Sequence, residues 1–197
     1  MESPGDDIIS HVIQSKKDGR PYTHEEVVGT TTLLFHAGLD TVANTLGFMA
    51  LHLAGHPEDR DFIRCNPDKM HDIIQELLRR CTVANQSRVV AQDTSHKGVL
   101  LKKGDRVTLP GSLFNLDGDV APDPDRVDFS RSCPHITFGA GPHSCAGARL
   151  ARREIAIFLE EWLARIPDFE VDDTRPLRMH AGLTNQVEEL WLRWPVS

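Results

Sequence analysis

Phe138-Gly139-Ala140-Gly141-Pro142-His143-Ser144-Cys145-Ala146-Gly147 runs straight into Ala148-Arg149-Leu150-Ala151-Arg152-Arg153-Glu154-Ile155. Three glycines in ten residues leave little room for regular structure. They suit a backbone that turns tightly and lets something flat or bulky approach. Beyond Gly147 the spacing of Ala151, Ile155, Phe158 and Trp162 predicts a helix from about Ala146 to Ile166. Cys145 therefore falls where a glycine loop feeds a helix N-terminus. Exposed amides and the positive end of a helix dipole favour a thiolate there. Such a thiolate can ligate iron, with neighbouring amides restraining its charge.

The 197 residues are enough to bury a real core, and with no repeat or linker they read as a single domain over 1–197. A net charge of -7 argues against nucleic acid as a partner. No run of eighteen apolar residues is present, so no membrane span is expected. The start, Met1-Glu2-Ser3-Pro4-Gly5-Asp6-Asp7, is polar and unlike a signal peptide. Cys65, Cys81, Cys133 and Cys145 are scattered without a Cys-x-x-Cys, which disfavours zinc and disulfides and fits a reducing cytoplasm.

Ile8, Ile9, Val12 and Ile13 form a short amphipathic pattern stopped by Asp18-Gly19-Arg20-Pro21. Thr23-His24-Glu25-Glu26 has capping-box spacing. From Glu25 to about Leu53 no proline intervenes, predicting a helix of roughly 30 residues, apolar on nearly all sides and so buried. Within it Ala37-Gly38-Leu39-Asp40-Thr41 departs from a plain core, because Gly, Asp and Thr each cost helix propensity. Gly38 would admit a ligand against the backbone, Asp40 supplies an acid, and His36 lies one turn earlier. Asn66-Pro67 reads as the start of another helix, on which Glu76 and Arg79 share a face. Short β-prone pieces near Arg88–Ala91, Gly98–Leu101 and Arg106–Pro110 indicate a small antiparallel sheet. The fold class is mainly α with small antiparallel β-sheets.

The pattern Phe-x-x-Gly-x-His-x-Cys-x-Gly, with Ala-Arg-Leu-Ala-Arg-Arg-Glu after it, closely resembles the haem-binding loop of cytochromes P450. The resemblance implies that Cys145 is the axial thiolate of haem b. Phe138, Gly139, Gly141, His143 and Gly147 are then the constrained loop positions. Ala-Gly-x-Asp-Thr resembles the oxygen-activation motif of that family's central helix. It implies that Asp40 and Thr41 deliver protons during dioxygen activation, beside Gly38. Glu76-Leu77-Leu78-Arg79 looks like the family's Glu-x-x-Arg motif. Arg126 of Pro124-Asp125-Arg126-Val127-Asp128-Phe129 would be the third member of that scaffold triad. By the same resemblance Arg88 and His135 reach haem propionates, and the turn at Leu183-Thr184-Asn185 touches substrate.

Further stretches, among them Leu101 to Asp105 and Glu161 to Phe169, are similar to the bacterial camphor 5-monooxygenase-like branch. That branch takes electrons from NAD(P)H through a ferredoxin, whose docking surface would be Arg149, Arg152 and Arg153. A compact terpenoid or similar small apolar molecule is the substrate implied. Family members are roughly twice this long, and the resemblance covers their C-terminal half. The expectation is thus a truncated P450 fold, from the long oxygen helix through the cysteine-ligand loop to the last helix. Three functional readings follow: a haem-thiolate monooxygenase hydroxylating a C–H bond, a haem-binding module without turnover, or a haem-free half that self-associates. An apolar flank of the long helix would be covered by a homo-oligomer or a complementing N-terminal half.

Overall fold

The computed structural model of this chain describes residues 5–195, so the start of the polar segment, Met1-Glu2-Ser3-Pro4, lies outside the described residues. Contacts divide the chain into two compact units, Met1–Asp40 and Thr41–Ser197. The long helix bridges that division in sequence.

In the first unit, helix α1 (Ile8–Gln14) is started by Asp7, whose carboxylate accepts from Ser10 N at 2.9 Å. Strands β1 (Lys16–Lys17) and β2 (Arg20–Pro21) form a hairpin through Asp18 and Gly19, both at positive φ. Helix α2 (His24–Gly55) then begins on a reciprocal cap. Thr23 N donates to Glu26 Oε2 at 2.9 Å, and Glu26 N donates to Thr23 Oγ1 at 3.2 Å. The capping box read from the sequence is formed. Arg20 and Lys17 also bond Glu26, and hold its carboxyl well below the usual carboxylate range.

The expected burial of α2 along its length is not found. Val28, Phe35 and Leu39 are 49%, 65% and 53% exposed, and they fall on one side of the helix because they are seven and four residues apart. The buried residues of α2 are Thr45, Met49, Ala50, Leu53 and Ala54, all in the second unit. Apolar character all round shows that a helix has several faces to cover, and here only the C-terminal turns are covered by their own unit.

The core of the second unit joins those turns to three helices: α3 (Pro57–Cys65), α4 (Met70–Arg80) and α6 (Ala148–Arg165). Met49, Leu53, Ile73, Leu77 and Leu159 are fully buried at its centre. Leaving any one of them exposed would forfeit about 1.5–3 kcal/mol. The start expected at Asn66 is modified. A 3₁₀ turn at Pro67–Lys69 precedes α4, and the Asn66 side chain donates to Phe62 O at 2.8 Å instead of capping. A one-turn helix α5 (Gly111–Asn115) follows the strands.

The β structure is a set of separate pairs, not one small sheet. Strand β3 (Asn85–Val89) runs antiparallel to β6 (Arg106–Pro110), and β4 (Thr94–His96) to β5 (Val99–Leu101). Strand β7 (Glu170–Val171) pairs with β10 (Leu192–Arg193), and β8 (Arg178–His180) with β9 (Gln186–Glu189) through a register shift at Arg178/Met179. The β8–β9 turn is stitched to the segment after α4. Asn85 N donates to Leu183 O at 2.9 Å and Asn185 N to Val83 O at 2.8 Å. Val187 N reaches Asn44 Oδ1 on α2 at 3.3 Å. The fold thus brings the region after α4, the tail hairpin and the cysteine loop onto one helical core.

Candidate functional site

The cysteine loop is built by a few backbone bonds around two left-handed glycines. Gly139 N donates to Ile136 O at 2.8 Å, Ser144 N to Gly141 O at 3.0 Å, and Cys145 N back across the loop to Phe138 O at 2.8 Å. Gly139 (φ +71) and Gly141 (φ +62) take conformations that side-chain-bearing residues rarely adopt. At Gly139 there is no space either, since a Cβ would lie 2.8 Å from Gln86 Nε2 and 3.0 Å from His143 O. Every residue from Ala140 to Gly147 is exposed, and Phe138 at the loop's base is half-buried. Helix α6 begins at Ala148, two residues later than its periodicity indicated. Cys145 therefore stands on the loop in front of the helix, not within its first turn.

Behind the loop lies a buried ion pair. Arg79 Nε and Nη2 donate to the two Glu76 carboxylate oxygens at 2.8 and 2.9 Å, with side chains 1% and 3% exposed. The remaining Arg79 hydrogens go to the carbonyls of Asn115, Pro124 and Arg126. Burial opposes the charge on Arg79, but the Glu76 carboxylate more than offsets it and raises the guanidinium above its ordinary value.

The third member of the triad, beside Glu76 and Arg79, is Arg131 and not Arg126. Arg131 Nε lies 3.1 Å from Glu76 Oε1, and its other nitrogens donate to the carbonyls of Pro122, Asp123 and Arg126. Arg126 contributes its carbonyl, and its own side chain is exposed. A turn closed by Arg126 N donating to Asp123 O aims that carbonyl at the pair, which sends the side chain outward.

A cleft of about 450 Å³ opens beside the loop base, lined by Gln75, Cys133, His135, Phe138 and Arg152 among others. His135 does not offer a propionate a free nitrogen. Its Nδ1 accepts from Thr137 N at 3.4 Å, so Nε2 carries the proton and faces Gln75 Oε1 at 3.1 Å. Burial lowers its pKa from 6.5, and the nearby Arg152 and Arg79 charges lower it further. Arg152 is also committed within the chain. It contacts Gln75 and Ala148 O, and its guanidinium lies 4.5 Å over the Phe138 ring. Arg149 and Arg153 remain exposed on α6.

Arg88, on β3, is exposed and donates to Gln86 Oε1 at 3.0 Å, while Gln86 Nε2 lies against Gly139. One side chain therefore links Arg88 to the cysteine loop. On α2, Asp40 is exposed and ends the first unit, and Thr41 is half-buried and begins the second. Thr41 O accepts from Thr45 Oγ1 at 2.7 Å. A Cβ at Gly38 would meet nothing within 4 Å. His36 is exposed and bonds Thr32 O at 2.9 Å, so it is not a core histidine. Arg131, Gln75, Gln86 and Asn115 carry no motif of their own, and only their place in three dimensions singles them out.

A flat macrocycle with a central iron needs one thiolate donor, an open face over it and a nearby cation for its acid groups. The exposed Cys145, the open run 140–147 and exposed Arg88 meet those needs. The other cysteine that α4 brings near the pair is unsuited, because burial pushes the Cys81 thiol up to about 12. Among the described residues no cluster of three or more His, Cys, Asp or Glu could hold a metal ion unaided. No described helix is long and apolar enough to cross a membrane.

A helical core, paired short strands and an exposed cysteine loop set beside a buried Glu–Arg pair make up the site. The cytochrome P450 family model matches residues 2–66 and 70–185, and the chain belongs to that family. It is similar to the probable cytochrome P450 127A1 of Sinorhizobium fredii, with 39% identity covering 98% of this chain and 47% of the relative. It also resembles the vitamin D3 dihydroxylase of Streptomyces griseolus, at 31% identity over 97% and 48% of the two chains. The solved structure of cytochrome P450 CYP101C1 superposes with a TM-score of 0.93 at 39% identity, covering 99% of this chain and 50% of that one. The structure of CYP101J2 does so at 0.91 and 40%. The chain thus spans about half the length of its relatives, and family membership implies a haem iron cofactor.

Two outcomes test this geometry. Arg131→Ala is expected to destabilise by about 2–3 kcal/mol, because Glu76 loses a charged hydrogen-bond partner in a buried site. Arg126→Ala should stay within about 0.5 kcal/mol. Urea unfolding of both variants decides, and the reverse ranking would return Arg126 to the triad. His135 has a folded pKa below its unfolded value, so the unfolded chain binds the proton more readily. Stability is therefore full above pH 6.5 and falls as pH drops below it. His135→Gln should flatten that part of the Tm-versus-pH curve between pH 7 and 5, and an unchanged slope would contradict the assignment.

Proposed function

We propose that this chain carries the thiolate-bearing half of a haem monooxygenase that hydroxylates a C–H bond of a small apolar substrate. Dioxygen is the co-substrate, and electrons come from NAD(P)H through a ferredoxin. The observation that carries this reading is Cys145, exposed on a glycine loop that is anchored to a buried scaffold. When bound, haem b supplies the iron at which dioxygen is reduced and split.

The chain's own residues take defined parts. Cys145 is the iron ligand, and the left-handed turns at Gly139 and Gly141 shape the loop that presents it. Arg88 pairs with a propionate, with Gln86 orienting its guanidinium. Asp40 is exposed and able to exchange a proton with water, and Thr41 passes a proton onward through its hydroxyl. Arg149 and Arg153 give α6 a local positive surface on a chain of net charge -7, suited to steering an acidic donor protein. Arg152 takes no part in docking, since Phe138 and Gln75 hold it. The vitamin D3 dihydroxylase among the relatives supports an apolar substrate class, and a compact terpenoid fits it.

The exposed face of α2 favours association as part of this function. Val28, Phe35 and Leu39 form an apolar strip that a second copy of the chain covers.

Reconstitution with haem, reduction and carbon monoxide should give the red-shifted Soret band of a thiolate-ligated iron, and Cys145→Ser should abolish it. A band of the histidine-ligated type in the unsubstituted chain would overturn Cys145 as ligand. Light scattering during gel filtration should return a mass of at least twice the 22.0 kDa chain. Phe35→Glu should lower it, and a 22.0 kDa species for the unsubstituted chain would rule out self-association.

A further inference from the structure

Asn115, the last residue of α5, is wholly buried and has no part in the functional reading so far. Its side chain joins three segments of the chain. Oδ1 accepts from Ile136 N at 2.9 Å, in the segment that leads into the cysteine loop. Nδ2 donates to Thr82 Oγ1 at 2.6 Å and to Thr137 Oγ1 at 3.0 Å. The backbone carbonyl of Asn115 meanwhile accepts from Arg79 Nη1 at 2.9 Å. Because a backbone N–H can only donate, the amide oxygen must face Ile136, and the two amide hydrogens are left for the two hydroxyls.

The hydroxyls complete the arrangement. Thr82 Oγ1 and Thr137 Oγ1 each lie 2.8 Å from Leu78 O, and 2.7 Å from one another. With one hydrogen apiece, one hydroxyl donates to Leu78 O and the other donates to its neighbour. Both oxygens accept from Asn115. An aspartate would bring a charge into a dry site, and an apolar residue would leave the Ile136 amide and both hydroxyls short of partners.

We infer that Asn115 is a positioning residue for the iron-ligating loop, fixing through Ile136 and Thr137 the point from which the segment to Cys145 departs. Ile136 O then receives Gly139 N, and Phe138 O receives Cys145 N, so displacement at Asn115 passes along the backbone to the cysteine. The buried ion pair holds α4 to the 122–131 segment; Asn115 holds the cysteine loop to α4. The importance of the position rests on Cys145 being the iron ligand, but the positioning itself does not.

Amide hydrogen exchange on the full chain tests the inference without haem. Asn115→Ala should speed exchange at Ile136, Gly139 and Cys145 about tenfold, while Leu159 and Leu163 in α6 keep their rates. Equal acceleration in α6, or none at the loop, would overturn it. Should Asn115→Ala fail to fold, Thr82→Val removes one partner isosterically and Thr82→Ser restores it. Loop exchange should then rise in the valine variant and return in the serine variant, and identical rates in the two would count against Asn115. In haem-loaded protein, Asn115→Ala should shift part of the carbon monoxide complex out of the thiolate-type band. A failure of haem binding by the unsubstituted chain would strike the proposed function, and the exchange result would still decide the positioning role.

Discussion

A carboxylate and a guanidinium both almost wholly out of water have to be satisfied by their surroundings, and that requirement shapes the second unit. Desolvating such a pair costs several kcal/mol per ion, so the Coulomb attraction alone does not make it stabilising. It becomes tolerable when every remaining hydrogen and lone pair is matched. Here Arg79 draws in the carbonyls of residues 115, 124 and 126, and Glu76 draws in the Asp128 amide and Arg131. Segments with little apolar content are thereby drawn to α4. The long irregular stretch between α5 and the cysteine loop keeps its course because a buried charge needs its backbone.

The cysteine loop uses the opposite strategy. Its inner end is half-buried and tied by several bonds, and its outer end is exposed and held by few. Rigidity is supplied from below, through Asn115, Thr137 and the Phe138–Arg152 stack, so nothing has to crowd the sulfur from above. Such support lets one soft donor keep a fixed position while its face stays open. It also explains why the three arginines in the first turns of α6 divide in two. Arg152 is spent on the loop, and only Arg149 and Arg153 remain to be met from outside.

Much of this was legible in the sequence, and the limits have physical causes. The capping box at Thr23 and Glu26, the extent of α2, the glycine loop and the Glu76–Arg79 pairing follow from local rules of spacing, and local rules were enough. Helix α3 went unread, because a nine-residue helix whose buried positions include Arg60 lacks an apolar stripe. The exchange of Arg126 for Arg131 turns on which way one carbonyl points, which no spacing encodes. The family resemblance gave His135 and Arg152 outward partners, a propionate and a donor protein. Gln75, with no motif, is what turns them inward. Asn115 was invisible for the same reason: its meaning lies entirely in contacts 21 to 36 residues away along the chain.

The separated strand pairs bear on how the chain behaves in a crowded solution. Among the described residues each pair leaves two outer edges, and an unpaired edge is a template on which another chain can add a strand. None of these strands exceeds five residues, and several have only two or three. Arg88, Arg106, Arg178 and Arg193 lie within them, so an incoming strand would meet charge as well as an abrupt end. Many short edges are less hazardous than one long one. The chain therefore exposes apolar helix surface while offering little to an ordered aggregate built from its sheets.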